Sequence, residues 1–91
     1  MKELEKLREE IDEIDTKIIY LYEQRMNLIK DVTKYKIKNN IPTLVSSREK
    51  EMLDKNVSKI NNKEFIKYYK YVLEGFLKAS KMYQDDLKNG N

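Results

Sequence analysis

Neither cysteine nor histidine occurs in this chain. The first absence removes a disulfide framework and a thiolate nucleophile, and the second removes the usual zinc sites, so any chemistry must run on other groups. Glycine appears twice and proline once in 91 residues, which leaves few turns. No run of about 18 apolar residues occurs, and the opening MKELEKLREEIDEID has no apolar segment, so neither a membrane span nor a secretory leader is expected. The default is a cytoplasmic protein. A strong excess of one charge is missing as well. The 19 basic and 16 acidic residues are interleaved, and the net +3 is not gathered into an arm that would grip a phosphate backbone.

What is present is charge and apolar surface in alternation, 38% and 40% of residues respectively, as in an all-α protein with solvated outer faces. The length suits one small domain, residues 1–91, with a thin core. From about Lys2 to Asn39, Leu4, Leu7, Ile11, Ile14, Ile18, Leu21, Leu28, Val32 and Tyr35 follow one heptad seam with spacings of three and four. A helix of that length runs to roughly 50 Å or more at 1.5 Å per residue, and it cannot bury its seam alone.

Asn39, Asn40 and Pro42 supply the stop signal, and the segment from Ile41 to Val45 reads as a short extended link. Ser46 and Glu49 have the spacing of a capping box at the start of a short second helix, which turns Met52, Leu53 and Val57 inward. A third helix is expected from Lys63 or Glu64. Its stripe contains Phe65 or Ile66, Tyr69, Leu73, Phe76, Ser80, Tyr83 and Leu87.

One seam position breaks the pattern, because Arg25 stands where an apolar residue belongs. A buried guanidinium is costly unless an acceptor meets it, and that acceptor is either a neighbouring carboxylate or a ligand. Lys36, eleven residues on, returns to within roughly 20° of the same face about 16 Å along the axis. Arg8 shares the heptad phase of Lys36 but lies about 26 Å before Arg25, too far for one small molecule to touch both in a single chain. With Arg48, Glu49, Ser80 and Gln84 these residues make an inventory suited to a small dianion: arginine forks for carboxylates, a lysine point charge, and neutral hydrogen-bonding groups. Each also has a purely structural account. Arg8 has Glu5 and Asp12 at helical spacing, Glu49 is the capping-box acid, Arg48 falls in the first turn of its helix, and Ser80 can return its hydroxyl to the carbonyl one turn back.

Four stretches, LREEIDEID (Leu7 to Asp15), EQRMNLIKDVTKYK ending at Lys36, IPTLVSSRE with its Arg48-Glu49 pair, and the step from Ser80 to Gln84, together resemble the helical (type II) class of chorismate mutases. The resemblance implies an intertwined homodimer of three-helix chains, with Arg8 contributed to the partner's site. It implies rearrangement of chorismate to prephenate in aromatic amino-acid biosynthesis, without cofactor or metal. Arg8, Arg25 and Arg48 would hold the two carboxylates with help from Ser80. Lys36 and Gln84 would face the ether oxygen, and Glu49 would accept from the ring hydroxyl.

The sequence departs from the family at Val45, where an acid often stands three residues before the Arg-Glu pair; Ser46 or Ser47 is a substitute hydroxyl. The departure leaves room for a different substrate, as in the isochorismate-pyruvate lyases of the same fold, and for a noncatalytic or regulatory helical dimer; a plain coiled-coil homodimer is a separate alternative. Such domains also act in association with another enzyme of the shikimate pathway. Because Gln84 donates without needing a proton, activity is expected not to require acidic pH.

Overall fold

The computed structural model describes residues 3–43 and 46–90 and is all-α in those residues. Val45 lies outside them, as do the side chains of Ser46 and Ser47, so the expected capping box and the departure from an acid at position 45 fall beyond the described residues. Helix α1 runs Leu4–Lys38, α2 runs Ser46–Val57, and α3 runs Ile66–Lys88.

The stop of α1 is a Schellman motif built on asparagine. Asn40 takes a left-handed φ of 55°, which asparagine tolerates better than most residues. The Ile41 N–H then donates to the Lys36 carbonyl at 2.8 Å and the Asn40 N–H to the Ile37 carbonyl at 3.4 Å, covering two carbonyls that the helix leaves open. The Asn39 side chain donates to the Tyr35 carbonyl at 2.8 Å, which also accepts the Asn39 N–H at 3.0 Å.

The third helix differs from expectation at its start. Residues Lys63–Phe65 form a 3-10 turn, nucleated by Asn62, whose side chain accepts from the Glu64 N–H at 3.0 Å, and α-helical geometry begins only at Ile66. This settles which residue turns inward: Ile66 is half-buried and Phe65 is exposed. Along α3, Tyr69, Phe76, Tyr83 and Leu87 are half-buried while Leu73, Ser80 and Gln84 are buried, so the expected stripe is the face that meets the other helices. Met52, Leu53 and Val57 of α2 are half-buried, and the Asn56 amide ties α2 to α3 by donating to the Tyr69 hydroxyl at 3.1 Å.

The molecule measures 56 × 27 × 15 Å, with a radius of gyration of 16.5 Å where a compact domain of this length has about 12 Å. The long axis is α1 itself. Its apolar seam residues are 42–64% exposed, from Leu7 to Leu28, and Leu73 is the one fully buried apolar side chain among the described residues. The chain packs α3 against α1 and α2 but leaves the heptad seam open. None of the described helices is long and apolar enough to cross a membrane.

Candidate active site

Helix α1 meets α3 through a second stripe. Met26, Ile29, Thr33 and Lys36 repeat at helical spacing and are half-buried or buried, whereas the seam residues Leu28, Val32 and Tyr35 beside them are exposed. Thr33 has no exposed surface, and its hydroxyl donates to the Ile29 carbonyl at 2.7 Å, which satisfies it within its own helix.

Arg25 borders this stripe and Lys36 ends it, and α3 supplies a partner to each. The Arg25 guanidinium donates to the Ser80 hydroxyl and lies 5.6 Å from the centroid of the Phe76 ring, in cation–π range. The partner of Arg25 is thus a hydroxyl and an aromatic face. Ser80 is 4% exposed and donates in turn to the Phe76 carbonyl at 2.8 Å. Its structural role as a back-bonding helix residue and its contact with Arg25 coexist: one hydroxyl gives its proton to the helix and a lone pair to the guanidinium.

Lys36 donates to the Thr43 carbonyl at 3.0 Å and to Gln84 Oε1 at 3.4 Å. The first contact pins the link after α1 over the site. The second turns the Gln84 carbonyl toward the ammonium and leaves its amide N–H groups for another acceptor. Gln84 is 7% exposed, so its orientation matters.

Arg25, Lys36, Arg48, Glu49, Ser80 and Gln84 line one cavity of about 620 Å³, between α1, the link and the two shorter helices. Its apolar wall includes Ile29 and Leu77. Arg8 is not among the lining residues, since it lies seventeen positions before Arg25 on an unbroken helix, roughly 26 Å away at 1.5 Å per residue. Six of the seven candidate residues therefore converge, and the seventh does not within one chain.

Of the seven lining residues that were not site candidates in the sequence, three stand out: Ile29, Thr43 and Lys81. Ile29 belongs to the second stripe of α1, a pattern visible as Met26, Ile29, Thr33 and Lys36 once a single helix is allowed two faces. Thr43 contributes its backbone carbonyl, for which side-chain patterns carry no signal. Lys81 sits one turn after Leu77 and three residues before Gln84, on a shared ridge of α3.

The cavity lining carries Arg25, Lys36, Arg48 and Lys81 against one carboxylate, Glu49. Such a pocket favours a compact anion with more than one acidic group, presenting forks to carboxylates and donors to a neutral oxygen. Fold and cavity together define a small helical protein with a preformed, cationic small-molecule pocket at the end of a long helix. More particularly, the chain belongs to the chorismate mutase type II family, an isomerase family, which matches it over residues 7–85. It is 32% identical over 96 residues to a chorismate mutase of Methanocaldococcus jannaschii, an alignment that covers 100% of this chain and 97% of that protein. It is also 44% identical over 55 residues to a bifunctional chorismate mutase/prephenate dehydratase of Aquifex aeolicus, covering 60% of this chain but only 15% of that longer protein. No solved structure matches.

Proposed function

We propose that this chain is a chorismate mutase that binds chorismate as a dianion and guides its [3,3] rearrangement to prephenate. The observation that carries the reading is the convergence of Arg25, Lys36, Arg48, Glu49, Ser80 and Gln84 on one cavity. In this rearrangement the ether C–O bond breaks as a C–C bond forms within the same molecule, with no proton transfer and no leaving group. Catalysis is then positioning and electrostatics.

Arg25 and Arg48 hold carboxylates, and Ser80, fixed through Phe76, orients the Arg25 fork. Lys36 and the Gln84 amide face the ether oxygen, where negative charge grows in the transition state. The Lys36–Gln84 contact supports this assignment, because it leaves the amide N–H groups of Gln84 free to donate. Glu49 accepts from the ring hydroxyl.

The functional unit in this reading is a homodimer joined along α1, in which the partner subunit's Arg8 completes the site. The exposed apolar seam supports it, since a second seam is the surface that heptad spacing fits. Residues 1–91 act as one cytoplasmic domain. Because the Aquifex relative joins chorismate mutase to prephenate dehydratase in one chain, we add a prephenate-consuming enzyme as a partner.

The test is loss of chorismate absorbance near neutral pH with product identification, comparing wild type with Arg25→Ala. Prephenate formation that drops about 10²–10³-fold in the variant, with association unchanged, is the expected result. A wild type that leaves chorismate intact overturns the reading, and pyruvate release from isochorismate replaces it with the lyase.

A further inference from the structure

We propose that Lys81 is an additional substrate-binding residue, a cation at the mouth of the pocket that grips a carboxylate of the bound dianion. The inference rests on the chorismate mutase reading and deepens it. Lys81 is exposed yet lines the cavity, so its ammonium stands where the site opens to solvent. It shares the ridge Leu77, Lys81, Gln84, which faces the cavity throughout.

The four cations of the pocket fall into two pairs. Arg25 and Lys36 are engaged by the protein, the one by Ser80 and Phe76, the other by Thr43 and Gln84. Their directions are fixed before a ligand arrives. Arg48 and Lys81 have no hydrogen-bond or ionic partner among the described residues. A free lysine on a flexible stem beside a pocket that already carries positive charge is repelled by it, and an anion that enters supplies it with a fixed partner. Lys81 therefore contributes to capture and holding of the dianion and not to the charge that develops at the ether oxygen.

Such a contact is equally strong in ground and transition states, which raises affinity without raising the chemical rate. The experiment compares Lys81→Gln, Lys81→Arg and, as a control for net charge alone, Lys78→Gln, which alters an exposed lysine of α3 outside the cavity. Steady-state kinetics with chorismate at low and moderate salt are paired with calorimetric binding of a bicyclic dicarboxylate transition-state analogue. For Lys81→Gln the expected result is a KM raised about 5- to 10-fold, with kcat within about twofold of wild type and a weaker salt dependence. Lys81→Arg restores most of the affinity and Lys78→Gln changes little.

An unchanged KM in Lys81→Gln, an equal change in Lys78→Gln, or a loss confined to kcat overturns the proposal. The calorimetry separates this outcome from failure of the mutase reading. If wild type does not turn over chorismate, weaker binding of the analogue by Lys81→Gln still supports the contact, and unweakened binding, or none by wild type, overturns it.

Discussion

The two halves of α1 carry the same apolar seam, yet the chain treats them in opposite ways. Every residue from Glu3 to Gln24 is exposed, although Leu4, Leu7, Ile11, Ile14, Ile18 and Leu21 lie among them. From Arg25 to Lys36 the same helix has a second face under α3, with Thr33 fully buried and Arg25, Met26, Ile29 and Lys36 partly covered. Most helical stability in proteins comes from packing an amphipathic face and not from intrinsic propensity. The C-terminal half is held by its own chain. The N-terminal half has the pattern of a packed helix and, among the described residues, no element covering it; the homodimer proposed above would supply that cover.

The sharpest way to break this contrast is to charge the unsupported half. Ile11→Glu combined with Ile18→Glu should abolish association in sedimentation experiments, and turnover should fall by more than about 100-fold, because a seam cannot bury two carboxylates and the site loses Arg8. Mixing Arg8→Ala and Arg25→Ala chains sharpens the same point. Each parent is nearly inactive, but a mixed dimer has one complete site, so random exchange should recover about a quarter of wild-type activity. If mixing recovers nothing, each chain is using its own Arg8 or none.

A smaller effect is expected where α3 packs on the supported half. Wild-type activity should be nearly flat across about pH 6 to 8, because the Gln84 amide does not titrate. Gln84→Glu changes that. Its carboxylate turns negative charge toward the ether oxygen, and only the protonated form donates, so the variant should lose about 10²-fold near neutrality and regain activity as pH falls. A flat profile in the variant would remove Gln84 from the ether oxygen. The smallest effect belongs to Thr33→Val. This change deletes the hydroxyl bonded to Ile29 while keeping the volume, and unfolding in denaturant should shift by no more than about 1 kcal/mol with kcat unaltered.

The same contrast explains what was legible in the residues. Heptad spacing predicts a long helix, and α1 runs Leu4–Lys38, within two residues of the expected ends. The stripe on α3 is readable because its partners lie inside the chain. Arg25 stands out as a cation in an apolar row, and its contact with Ser80 joins two polar interruptions that sequence finds separately. The packing of α3 was harder to foresee, since the heptad seam masks the Met26–Lys36 stripe running beside it. The 3-10 turn at Lys63–Phe65 depends on one side-chain cap at Asn62 that overrides helical periodicity, and Thr43 enters through its backbone alone.

Lys36 joins the end of α1 to the site at both of its ends. Its carbonyl accepts the Ile41 N–H that stops the helix, and its ammonium donates to the Thr43 carbonyl two residues later. The closed loop between these two bonds leaves no slack, so the link is not interchangeable along its length. A residue inserted between Ile41 and Thr43 should change the reach of the ammonium without unfolding a helix, while surface loops elsewhere in proteins usually absorb such insertions. Chain length in the five-residue segment from Asn39 to Thr43 is therefore tied to one side chain, since Lys36 is bonded at its carbonyl and at its ammonium within it.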